Sequence, residues 1–100
     1  FEELNAVNDA LGLGYKIYYW RTAANLEVDF ILYGDRGIRA LEIKRTGKVN
    51  SQMLRGLKAF LADYPLAKAY FIYGGERRLH EGNIEIVPVD EFMKNIGQIL

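Results

Sequence analysis

Apolar residues recur at positions 1, 4, 7 and 11 of the opening segment FEELNAVNDALGLG, the spacing of one helical face, with Gly12 and Gly14 as stops. The pattern then changes. Residues 15–22, YKIYYWRT, are rich in aromatic side chains and predict a strand. EVDFILY (27–33) and IRALEIKR (38–45) predict two more, joined by the Gly-Asp-Arg-Gly turn of a hairpin. Asn50 or Ser51 is placed to cap a helix over 52–64 whose apolar face is Met53, Leu54, Leu57, Phe60, Leu61 and Tyr64, and Pro65 marks its end. AKAYFIY (67–73) is a near-continuous apolar run of strand length, the mark of a strand covered on both faces. GGERRLHEGN reads as a polar loop, IEIVPV as a short strand interrupted by Pro88, and DEFMKNIGQIL as a closing helix capped by Asp90. The expected order is α-β-β-β-α-β-β-α. A helix between the hairpin and the apolar strand implies a crossover, and so an α/β fold with a mixed central sheet flanked by helices.

The hairpin carries the chemistry. An even turn sets Tyr33 opposite Ile38 and Gly34 opposite Gly37; carried back along the strands, it sets Asp29 opposite Glu42 and Glu27 opposite Lys44. The side-chain period of two then puts these four charges on one face, with Val28, Phe30, Leu41 and Ile43 on the other. Directly opposed carboxylates have Cβ atoms roughly 5 Å apart and repel each other. One pKa must rise, or a cation must compensate. Lys44 offsets part of the charge, but Glu27 competes for it. A hard divalent cation, Mg²⁺ or Mn²⁺, bridging Asp29 and Glu42 would satisfy both carboxylates. The alternative is a solvated face of cross-strand salt bridges, each worth under ~1 kcal/mol. Toward the turn the same face carries Ile31, Tyr33, Ile38 and Ala40, which suits a site at the mouth of a cleft.

Composition narrows the classes. One hundred residues make one domain, which buries roughly two thirds of its unfolded surface. Thirteen basic and thirteen acidic residues cancel, which argues against a dedicated, strongly basic nucleic-acid binder and leaves room only for a local patch. The absence of cysteine removes disulfide and thiolate chemistry and permits an intracellular setting. No apolar run approaches the ~20 residues that cross a bilayer. The opening Phe1-Glu2-Glu3, without Met, suggests a piece of a longer polypeptide.

Asp29, followed after twelve residues by Glu42-Ile43-Lys44, resembles the core motif of the PD-(D/E)XK nuclease superfamily, whose restriction-endonuclease-like fold has the element order given above. YYWRTAANLEVDFIL, LEIKR and the later IEIVPVDEF are similar, over nearly all of the chain, to the uncharacterised C-terminal domain of many prokaryotic AAA+-type ATPases. The resemblance implies a single domain over 1–100, carried on an ATPase in the cytoplasm. It implies Asp29 and Glu42 as metal ligands, joined by the main-chain carbonyl of Ile43 and by Glu2 in the first helix, with Glu3 an equal alternative to Glu2. Lys44 would position the attacking water or stabilise charge on the scissile phosphate, and Gln52 would support the site. Val28 stands where the family name expects Pro. The implied activity is Mg²⁺-dependent hydrolysis of phosphodiester bonds in nucleic acid, DNA above all. The rival expectation is an inactive nuclease-fold module that binds DNA or a protein partner for the ATPase.

Other residues have two readings each. Arg21 reaches the acidic cluster or a phosphate, or forms a structural ion pair. Arg45, Lys48, Arg55 and Lys58 extend a basic rim along the crossover helix for phosphate contacts, or line a solvated face. Tyr18, Tyr19 and Trp20 stack bases, or, as neighbours in a central strand, pack the core. His80 is expected on the surface. TGKV (46–49) lacks the glycine and the Ser or Thr of a phosphate loop, so it offers no ATP site of that kind.

Overall fold

The hairpin forms in the expected register. In a computed structural model that describes residues 2–100, without the side chains of Glu2, Glu3 and Val7, β2 (Glu27–Gly34) and β3 (Gly37–Ile43) pair antiparallel, with Tyr33 opposite Ile38 and Gly34 opposite Gly37. β1 (Lys16–Arg21) lies antiparallel outside β2. From β3 the chain crosses through a 3-10 turn (Ser51–Leu54) and α2 (Arg55–Asp63) to β4 (Lys68–Tyr73), which runs parallel beside β3. β6 (Ile84–Pro88) is parallel to β4, and β5 (Leu79–Glu81) closes the far edge. The result is a mixed six-stranded sheet in the order β1-β2-β3-β4-β6-β5.

The crossover helix forms where its signals place it. Asn50 accepts a hydrogen bond from the Met53 amide at 3.0 Å, satisfying a donor that the helix start leaves without an internal partner. Leu54, Leu57 and Phe60 are buried against Ile31, Ala40 and Phe71, whereas Met53 and Tyr64, at the two ends of the expected apolar face, stay exposed. On the opposite face Leu32, Leu41, Ile72 and Val87 lie under Leu4 of α1 (Glu2–Ala10), Phe92 of α3 (Val89–Lys94) and Ile96 of α4 (Ile96–Ile99). Asn8 clamps the backbone of Tyr15 with two hydrogen bonds, 2.7 and 2.8 Å long, and the Tyr15 hydroxyl donates to the Leu100 carbonyl at 2.6 Å.

Four expectations need correction. Residues 79–81 form β5 instead of loop, because Gly82, at φ 57°, permits a two-residue hairpin into β6. The closing segment is two short helices broken at Asn95, and Pro88, not Asp90, occupies the cap; Asp90 lies in the first turn, where a carboxylate favours the helix dipole. Pro88 also ends β6 and does not interrupt it. β1 is an edge strand, not a central one, so Tyr18 and Tyr19 are exposed and only Trp20 is half-buried. Among the described residues no helix is long and apolar enough to cross a membrane.

Candidate functional site

Strand β2 changes character at its start. Tyr18 lies opposite Ile31 and Trp20 opposite Val28, so Asp29 and Phe30 together face the single Tyr19. This is a β-bulge, an extra residue that resets the alternation of side chains. Val28 consequently joins Ile31 in the core beneath α2, not the opposite face that strict alternation assigns it. Glu27 pairs with Arg21, and its carboxylate accepts a hydrogen bond from the Tyr19 hydroxyl. The paired register of β2 with β3 ends at Phe30–Leu41, so the expected partnership of Glu27 with Lys44 does not form.

Asp29 and Glu42 nevertheless come together. The Asp29 amide donates to Glu42 Oε1 at 2.9 Å, and Lys44 Nζ lies 4.0 Å from Glu42 Oε2. Glu42 is only 5% exposed. Burial is the main force that pushes its carboxyl up to about 7, and the neighbouring Asp29 charge adds to it; the Asp29 amide and Lys44 act in the opposite direction. Asp29 is half-buried and Lys44 exposed, so the group opens toward solvent on one side.

Two main-chain features position it. The Lys44 amide donates to the Ile72 carbonyl at 2.9 Å. Neighbouring residues of a central strand bond to opposite sides, so the Ile43 carbonyl turns toward β2, beyond the last paired residues. Gly56, in the first turn of α2, lies against the main chain at Glu27, and a Cβ there would run into the Glu27 carbonyl oxygen. The helix start is thereby pinned on the start of β2, two residues before the bulge.

These donors fit a hard divalent cation. Two adjacent carboxylates, one raised mainly by burial and further by its neighbour's charge, are oxygen ligands of the kind such an ion takes, and the Ile43 carbonyl turned toward β2 is another. Among the described residues no group of three or more His, Cys, Asp or Glu side chains is placed to hold a metal ion. The Glu2 side chain, expected as a further ligand, lies outside the described residues.

The remaining expected residues sit nearer the surface. Arg21 donates to Asn25 Oδ1 at the tip of the β1–β2 hairpin. Arg45, Gln52 and Arg55 are exposed along the segment from β3 into α2. Lys48 lines a cleft of about 670 Å³ with Gly74, Gly75 and Arg77. Lys58 is engaged by Glu81, whose carboxyl this contact holds low. His80 is exposed, as expected. Sequence reasoning missed that Tyr33 and Tyr64 join Tyr18, Trp20 and Phe60 around a groove of about 400 Å³. The signal was present: Phe60 and Tyr64 are four residues apart on one helix and stack with centroids 4.7 Å apart.

A family model described as a domain of unknown function, DUF4143, matches residues 1–92, and the chain belongs to that family. The chain is 31% identical over 78 residues to uncharacterized proteins of Mycobacterium bovis and Mycobacterium tuberculosis. The matched stretch is 77% of this chain and 17% of each relative, so the chain spans about a sixth of the length of these curated relatives. No solved structure matches it.

Proposed function

We propose that this DUF4143 domain is a metal-dependent phosphodiester hydrolase of nucleic acid, with a PD-(D/E)XK, restriction-endonuclease-like core, carried in the cytoplasm by an AAA+-type ATPase. The observation that carries this reading is the grip of the Asp29 amide on Glu42 Oε1, which holds two carboxylates side by side with Lys44 Nζ close to the buried one. Asp29, Glu42 and the Ile43 carbonyl would hold Mg²⁺ or Mn²⁺. When bound, the cation would supply charge neutralisation and polarise a phosphoryl oxygen. Glu42 is kept in place by the Asp29 amide, so its carboxylate needs no reorganisation when charge develops. The Lys44 ammonium is a compact donor at the exposed rim, suited to orient water or to meet the phosphate's negative charge. Arg45, Lys48, Gln52 and Arg55 follow along one segment and would contact the backbone of DNA, with Arg21 at the hairpin tip.

The balanced charge, thirteen basic against thirteen acidic residues, favours a second reading in which the domain binds DNA or a protein partner without cutting. The two are separated by incubating labelled single-stranded and duplex DNA and RNA with the protein in Mg²⁺ or Mn²⁺, beside Asp29→Ala, Glu42→Ala and Lys44→Ala. Cleavage that falls at least ~100-fold in each variant supports hydrolysis by this group, the scale of a lost charge-stabilising interaction. Cleavage that survives in Asp29→Ala, or is absent from the wild type on every substrate, rejects it.

A further inference from the structure

We propose that the aromatic groove between β1 and α2 takes an unstacked base of a single-stranded nucleic acid whose phosphodiester lies at Asp29 and Glu42; this rests on the hydrolase reading and names its substrate class. The groove is lined by Tyr18, Trp20, Ile31, Tyr33, Phe60 and Tyr64. At about 400 Å³ it is within the size range of small-ligand sites. Its wall is preorganised. Trp20 stands edge-on to Phe60 with centroids 5.3 Å apart, and Phe60 stacks on Tyr64. Tyr18, Tyr33 and Tyr64 are 53%, 57% and 45% exposed, so their rings present open area to the groove.

Two observations choose the occupant. Among the described residues no charged side chain lines the groove, so it takes the neutral, flat part of a ligand. The charged group lies immediately beside it: Tyr18 and Trp20 pair with Ile31 and Val28, the residues that flank Asp29 and Phe30 at the bulge. A ligand that spans both must join a planar uncharged ring to an anion or phosphate within about two residues of strand, ~7 Å. A nucleotide has that composition. Bases inside a duplex are stacked on their neighbours, so the ring that enters must come from a single strand or a frayed end. Stacking on tyrosine and tryptophan faces is indifferent to base identity, because every base has a π-face.

The chain reports on its own groove, because Trp20 is its only tryptophan. The experiment titrates the protein in chelator, where no cleavage occurs, with a short oligothymidylate, an abasic chain of equal length and a blunt duplex. Trp20 fluorescence and the anisotropy of labelled strands are followed together. The expected result is quenching by oligothymidylate, with binding of the abasic chain and of Tyr18→Ala and Tyr33→Ala weaker by on the order of 5- to 100-fold. Both tyrosines are exposed, so unchanged circular dichroism confirms that the variants fold. Equal binding of the abasic chain or the duplex, unchanged binding by both variants, no binding at all, or a wild-type dimer that Tyr33→Ala dissociates would each overturn the proposal. Asp29→Asn keeps the two readings apart. Oligothymidylate binding by wild type and Asp29→Asn, with cleavage by neither in Mg²⁺, would keep the groove and sink the hydrolase. Cleavage with no contribution from Tyr18 or Tyr33 to binding or KM would do the reverse.

Discussion

On one face of the sheet Leu32, Leu41, Ile72 and Val87 lie under three helices, and the Tyr15 hydroxyl and Arg39 tie that cover to the carbonyls of Leu100 and Ile99. On the other face Ile31, Ala40 and Phe71 lie, among the described residues, under one nine-residue helix and the 3-10 turn that leads into it. A helix is about 10–12 Å across with its side chains. A sheet of six strands is about 24 Å wide. Among the described residues one helix therefore leaves flanks of that face less covered; the aromatic groove lies there, and the acidic pair, with Glu42 buried and Asp29 half-buried, opens toward solvent on one side. The same strands close one side and leave a working surface on the other, so the site arises from the number of covering elements as much as from the residues of the motif.

The largest contrast should come from two neighbours on β2. Leu32 is fully buried under the closed face, and Leu32→Ala should cost about 2–5 kcal/mol in urea unfolding. Tyr33→Ala, on the open face, should stay within about 0.5 kcal/mol. Equal costs would show that the groove is packed as a core. Next in size is the pH dependence of Glu42. Its folded pKa, about 7, lies above the 4.5 of the unfolded chain, so the native state retains a proton that the unfolded state gives up. The stability this lends is fully present below the lower value and is lost as pH rises through the upper one, up to about 3 kcal/mol in all. Thermal melts of Glu42→Gln should lack that decline and exceed wild type at about pH 8. Mg²⁺ bound at the pair should reduce the decline in wild type alone. Gly56→Ala should destabilise by about 1–3 kcal/mol, since the new methyl meets the Glu27 backbone and not a side chain that can rotate away. Because the contact lies two residues before Asp29 on the same strand, metal binding measured by calorimetry should weaken in parallel.

Much of this fold was legible because its signals are local. The Gly-Asp-Arg-Gly turn specified the register as far as Phe30 opposite Leu41, just beyond which Asp29 meets Glu42; Asn50 and Pro65 bounded the crossover helix, and the apolar run at 67–73 announced a strand buried on both faces. The bulge was not legible, because Glu-Val-Asp-Phe alternates as any strand does and only the neighbouring β1 reveals two residues facing one. That omission moved Glu27 to the wrong face. β5 was legible and overlooked: Gly82-Asn83 between Glu81 and Ile84 is a hairpin signal of the same kind as the one that was used. The edge position of β1 depends on strand order, to which the aromatic run itself is silent, and so the exposure of Tyr18 and Tyr19 was missed with it.

The bulge also bears on how this sheet ends. β1 and β5 are the outer strands, and an outer strand with its amides and carbonyls open invites another sheet to add on and grow into an aggregate. β5 is three residues long, too short to template much pairing. β1 begins with Lys16 and finishes with Arg21, and the irregularity in its partner interrupts the flat, regular ribbon that a stranger would need. The bulge at Asp29 and Phe30 thus does more than set the site's geometry: it makes the outer aromatic strand a less regular template for a second sheet.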